Sequence, residues 1–139
     1  MVEPVKLLEV RNLRTSFFIE EGEVKAVDDV SYHVDEGEVI AIVGESGCGK
    51  TVTQLSLIQL VQSPPGRILG GEVLFAGQDL LKLAPMSKDM RDVRGAGISM
   101  IFQEPMTSLN PVLRVGRQLS EVIMVHAKVG RKEAWRRGI

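Results

Sequence analysis

Apolar and polar residues alternate through Leu8-Glu9-Val10-Arg11 and again from Leu13 to Ile19, the period of antiparallel strands with one solvated face. Glu20-Glu21-Gly22-Glu23 is a charged turn, which predicts that Val24 to Val27 returns as the partner strand. Val30 to Val34 reads as another short strand, closed by Asp35-Glu36-Gly37-Glu38. The pattern then changes. Val39-Ile40-Ala41-Ile42-Val43 is apolar without interruption, which predicts a buried parallel strand. A glycine-rich stretch separates it from Val52 to Val61, a leucine-containing run of helical length that Pro64-Pro65-Gly66 breaks. Gly70-Gly71 introduces a strand over Glu72 to Phe75, and Gly77-Gln78-Asp79 turns out of it. Residues 87 to 95 are charged and read as helical or irregular. Ile98 to Phe102 is an apolar strand ending at Gln103, and prolines at 105 and 111 exclude a continuous regular element between them. Val115, Leu119, Val122 and Ile123 give helical spacing up to Val125, and Lys132 to Arg137 begins a further helix.

The glycine-rich stretch carries the chemistry. Residues 44 to 51 read Gly-Glu-Ser-Gly-Cys-Gly-Lys-Thr, a complete G-x-x-x-x-G-K-[ST] phosphate-binding loop set between an expected strand and an expected helix. In a chain of this length a chance match is expected less than about once in a hundred. Gly44, Gly47 and Gly49 permit backbone angles that let successive N–H groups turn inward around phosphate oxygens. Between them, Glu45, Ser46 and Cys48 contribute mainly backbone. The helix N-terminus adds its unpaired donors and its positive dipole end. Lys50 is placed to reach the β- and γ-phosphates, and Thr51 to offer a hydroxyl to Mg²⁺.

Composition narrows the class. A chain of 139 residues lies in the single-domain range. Its 17 basic residues against 18 acidic ones argue against a nucleic-acid-binding surface, and Lys128, Arg131, Lys132, Arg136 and Arg137 read as a solvated helix face. The single Cys48 excludes an intrachain disulfide and fits a reducing compartment. Met1-Val2-Glu3-Pro4 lacks the basic start of a secretory leader. The longest uncharged stretch, Thr51 to Gly66, is too short and too polar to span a bilayer. These features lead us to expect a soluble protein.

Taken with the loop, the string Met100-Ile101-Phe102-Gln103-Glu104-Pro105-Met106-Thr107-Ser108-Leu109-Asn110-Pro111 resembles the ATP-binding subunits of ABC transporters, and more narrowly the dipeptide, oligopeptide, nickel and glutathione importer group. The resemblance runs from about Leu7 to the last residue. It implies that ATP and Mg²⁺ bind at Gly44 to Thr51. It implies that Gln103 is the glutamine that contacts Mg²⁺ and the attacking water, a role that suits a neutral amide. It also implies an aromatic residue from an early strand stacked on adenine, which Phe17 matches. The alternation leaves that last point open: Phe17 shares its face with Leu13 and Ile19 and reads equally as core, with Phe18 the exposed ring. Partners implied are a second ATP-binding subunit and membrane permease subunits, the latter docking near Gln103 to Pro111. That would place the protein in the cytoplasm, peripheral on the inner membrane.

The departures are as informative. Leu-Ser-Gly-Gly-Gln is absent, and Leu69-Gly70-Gly71-Glu72 lacks its serine and precedes Gln103. No apolar run ends in Asp-Glu, and neither His33 nor His126 stands where a switch histidine would fall. The expected fold is therefore an α/β P-loop domain of the ABC ATPase type with an antiparallel β subdomain at the start, truncated in its helical subdomain. Residues of about 5–37 would form the β subdomain, 38–103 the P-loop core and 104–139 the start of the helical part. A chain with the cradle, Thr51 and Gln103 but no second acidic motif is expected either to serve an importer as part of its ATPase or to act as a nucleotide-binding module without hydrolysis.

Overall fold

The structure, a computed structural model, describes residues 6–103 and 108–138. The chain divides into two compact units, residues 1–90 and 91–139.

The first unit is built on an antiparallel sheet. Strand β1 (Lys6–Ile19) pairs with β2 (Gly22–Asp35) through the charged turn at Glu20-Glu21, and on its other edge with β3 (Gly66–Phe75). A two-residue strand, β4 (Gln78–Asp79), extends β3, giving the order β2-β1-β3-β4. The two short strands expected at the start are one strand interrupted by a bulge. Asn12 adopts φ 48, a left-handed conformation that Asn tolerates better than most residues. The slip resets the alternation, so that Val10 and Leu13 both face inward, at 1% and 0% exposure. Opposite, Asp29 of β2 also takes a positive φ and accepts a hydrogen bond from Asn12 Nδ2 at 2.9 Å. Gly70-Gly71 lies inside β3 instead of opening it, because Gly71 passes the bulge so closely that a Cβ would meet the β1 backbone.

Helix α1 (Lys50–Leu57) follows the glycine loop and buries Thr53, Ser56 and Leu57. It stops earlier than the apolar run to Val61 suggests. Gln59 turns left-handed, at φ 51, and its amide donates to the Leu80 and Leu83 carbonyls at 2.6 and 2.9 Å. Those carbonyls belong to a 3₁₀ turn at Leu80–Lys82 and its exit; Asp79 caps the turn by accepting from Leu81 N. Val10, Leu13, Val27, Leu57, Ile58, Val73, Leu80 and Met90 make up the buried apolar core described in this unit.

Two expected strands do not form. Val39 to Val43 forms no strand, and Val39 and Val43 are 94% and 87% exposed. A parallel strand needs hydrogen-bonded neighbours and covered faces, and among the described residues none pairs with this run. Ile98 to Phe102 fails for the same reason: among the described residues it makes only an isolated bridge, Arg94 to Ile98.

A short helix α2 (Lys88–Asp92) spans the division between the units. The second unit then carries a kinked turn at Val93–Gly97 and the helices α3 (Val115–Ala127) and α4 (Arg131–Gly138), which pack on one another. Ser120 and Ala134 are buried there. The Gln118 side chain ties the preceding loop to α3, accepting from Asn110 N and donating to the Asn110 and Leu113 carbonyls. Among the described residues no helix is long and apolar enough to cross a membrane.

Candidate functional site: the glycine loop and helix α1

The loop is exposed from Gly44 to Cys48 and leads through the half-buried Gly49 directly into α1. Its last residue is fixed by contact. Gly49 has φ 89, and a Cβ there would run into the Ala26 carbonyl of β2. Only glycine brings the helix N-terminus this close to the sheet. Gly49 also anchors the helix, since its carbonyl accepts from Thr53 N at 2.8 Å and from Thr53 Oγ1 at 3.0 Å. The amides of the first turn have no partner within the helix, and no side chain caps them at Gly49.

Lys50 curls back over the loop. Its Nζ donates to the carbonyls of Gly44 and Glu45 at 2.8 and 2.6 Å and lies 3.4 Å from Cys48 Sγ. The loop thus encloses an ammonium group, with Cys48 N donating to Glu45 O at 3.3 Å to close the turn. Thr51, Glu45, Ser46 and Cys48 are exposed, as is Gly47 at φ 82.

These residues fit a magnesium-bound triphosphate. A fixed ammonium group, a glycine cradle and uncapped helical amides supply the donors that phosphate oxygens take up. Mg²⁺ in such sites takes few protein ligands and relies on phosphate oxygens and water. Among the described residues no group of three or more His, Cys, Asp or Glu is gathered for a metal; Thr51, next to Lys50, is exposed.

Beneath the loop lies a groove of about 640 Å³ between β2 and the Ile40–Val43 run, with Tyr32, His33 and Lys50 in its walls. Burial pushes the Tyr32 phenol above its ordinary pKa. Along β1, Phe17 is half-buried and pairs with Val24 and Gly66, whereas Phe18 is 43% exposed. The Phe18 ring already has a partner: the Arg67 guanidinium lies 5.4 Å from its centroid. Gln103 is exposed in the second unit, and Glu104 to Thr107 lie outside the described residues. His33 and His126 are both exposed. Sequence reasoning missed a buried pair of hydroxyls, Thr15 of β1 and Ser56 of α1, 2.8 Å apart. No local signal marks it, since Thr15 lies beside Ser16 in a strand that otherwise reads as half-solvated.

The profile of the ABC transporter family matches residues 27–138. The chain is 48% identical over 139 residues to the oligopeptide transport ATP-binding protein OppD of Bacillus subtilis, covering all of this chain and 38% of that protein. It is 49% identical over 129 residues to the dipeptide transport ATP-binding protein DppD of the same organism, 93% of this chain and 38% of the relative. It is also 45% identical over 137 residues to the glutathione import ATP-binding protein GsiA of Pectobacterium atrosepticum, 96% of this chain and 22% of the relative. The chain thus spans less than two-fifths of the length of these relatives. In fold it resembles a dimeric bacterial ABC transporter cassette, at TM-score 0.74 and 18% identity over 94% of this chain and 53% of the other. A second match, at TM-score 0.76 and 19% identity over the same shares, is to an ATP-binding cassette bound to ADP and Pi. With the glycine loop built as it is and the profile matched over most of the sequence, the chain belongs to the ABC transporter family.

Proposed function

We propose that the loop Gly44 to Thr51 binds ATP with Mg²⁺, and that the chain is the nucleotide-binding portion of an importer subunit for peptides or related small solutes. The observation that carries this reading is the Lys50 ammonium held over the Gly44 and Glu45 carbonyls at the mouth of a loop locked by Gly49. When a triphosphate enters, Lys50 exchanges carbonyl partners for phosphate oxygens, and the first-turn amides of α1 take up the remainder. Thr51 offers its hydroxyl to Mg²⁺, and Phe17 supplies the ring on the base side. Gln103 orients the attacking water and contributes to the metal. Mg²⁺ supplies charge neutralisation at the β- and γ-phosphates.

In the whole protein this portion works with a second ATP-binding subunit, and hydrolysis drives import through permease subunits that dock near Gln103 to Pro111. It then sits in the cytoplasm, peripheral on the inner membrane. The names of the similar proteins support the solute class. We assign about 5–37 to an antiparallel subdomain, 38–103 to the P-loop core and 104–139 to the start of the helical subdomain. The unpaired Val39–Val43 run favours a second reading for the chain on its own: a module that binds nucleotide without hydrolysing it. A phosphate-release assay beside an ATP titration separates the two. Binding with turnover that disappears in Lys50→Ala supports the first, and binding with background turnover supports the second.

A further inference from the structure

Helix α1 turns a polar face to the sheet. Of its three buried residues two carry hydroxyls, Thr53 and Ser56. Ser56 meets Thr15 of β1 at 2.8 Å, and both residues are 0% exposed. The protons of this pair can be assigned. Ser56 Oγ lies 2.7 Å from the Val52 carbonyl, which only accepts, so the one Ser56 proton points there. Thr15 is therefore the donor to Ser56, and the relay ends on the first turn of the helix that carries Lys50 and Thr51.

A second contact lies close by. Gly49 abuts the Ala26 carbonyl, and Ala26 stands between Lys25 and Val27, the residues paired with Ser16 and Thr15. Apolar packing is non-directional, so Leu57 and Ile58 alone would tolerate a small slide of α1 along β1. A buried hydroxyl pair does not, because a slide leaves desolvated groups without partners.

We propose that the Thr15–Ser56 pair positions the two ends of the nucleotide site. It fixes the axial setting of α1 on β1. The phosphate end, Lys50 and Thr51, is thereby held in register with the base end at Phe17, two residues beyond Thr15 on the same strand. This rests on the ATP reading given above. Thr15 and Ser56 are positioning residues that act through the helix. A ligand spanning both ends depends on the register; one that touches the loop alone does not.

The experiment compares ATP with inorganic tripolyphosphate, both with Mg²⁺, by titration calorimetry on the parent, Thr15→Val, Thr15→Ser and Lys50→Ala. Losing one neutral hydrogen bond predicts that Thr15→Val weakens ATP about three- to tenfold and leaves tripolyphosphate within about twofold. Thr15→Ser restores ATP affinity, since it keeps the donor. Parallel losses for the two ligands, or no loss for ATP, overturn the proposal while Lys50-dependent binding by the parent leaves the loop assignment standing. Binding of neither ligand by the parent removes both. Should Thr15→Val fail to fold, Ser56→Ala, which deletes the acceptor, is read by the same split.

Discussion

Replacing Gly49 with alanine puts a methyl group where the structure has least room for one. Two costs arise. The φ of 89° is left-handed, which costs an L-residue about 1–2 kcal/mol. The new Cβ also meets the Ala26 carbonyl, backbone against backbone, and overpacking of this kind adds about 1–3 kcal/mol. Against them stands about 0.4–1 kcal/mol gained by restricting the unfolded chain. The balance is a loss of about 2–4 kcal/mol, together with displacement of the α1 N-terminus from β2. Two neighbouring glycines serve as controls. Gly47 has φ 82 with open space around its Cβ, so Gly47→Ala bears only the conformational cost of about 1–2 kcal/mol, which the same unfolded-state gain reduces to a net of about 0–1.5 kcal/mol. Gly44 lacks a positive φ, and its Cβ would meet only the Cys48 thiol and Lys50 tip, side chains that can turn away. Urea unfolding of the three variants should therefore rank Gly49→Ala well below Gly47→Ala, with Gly44→Ala near the parent. If Gly49→Ala unfolds at the same midpoint as Gly47→Ala, the close contact with Ala26 does not fix the loop.

Three further outcomes are expected. Asp79 Oδ1 accepts from Leu81 N and Val73 N; Asp79→Ala removes a cap and strands an amide, costing about 2–3 kcal/mol, and Asp79→Asn should recover most of it in the same urea melts. Hydrogen bonds from Arg136 and Arg137 hold the Glu133 carboxyl down at about 2, against 4.5 ordinarily. Its support for α4 is thus complete above pH 4.5 and lost as pH falls towards 2. Protection of the α4 amides relative to their intrinsic exchange rates should fall across that window in the parent and less in Glu133→Gln, and identical profiles would contradict it. The 139-residue chain with Mg²⁺ should release phosphate from ATP at background rate, because residues 1–139 hold no second acidic motif; steady turnover abolished by Lys50→Ala would overturn that.

What the sequence made legible was local. The phosphate loop could be read because its chemistry is contiguous, from Gly44 to Thr51, and the first hairpin because Glu20-Glu21 interrupts two alternating runs. The end of α1 could not, since Gln59 leaves the helix to reach carbonyls more than twenty residues away. Val39 to Val43 was correctly apolar but not a strand, because a ladder is a property of two segments and no described segment supplies the second. Thr15 and Ser56 look like ordinary surface hydroxyls until folding brings them together. Phe17 stayed ambiguous for a related reason: Leu13 on its strand is buried but Ile19 is 45% exposed, so alternation alone cannot say where the core ends.

Lys50 and its loop, as proposed above, bind the phosphates of ATP. Titration calorimetry of ATP with Mg²⁺ into the parent and into Lys50→Ala tests it most directly. Each charge-assisted hydrogen bond to phosphate is worth about 1.5–3 kcal/mol, so saturable binding by the parent and a loss of at least about tenfold in the variant are expected. Equal affinity in the two proteins would contradict it.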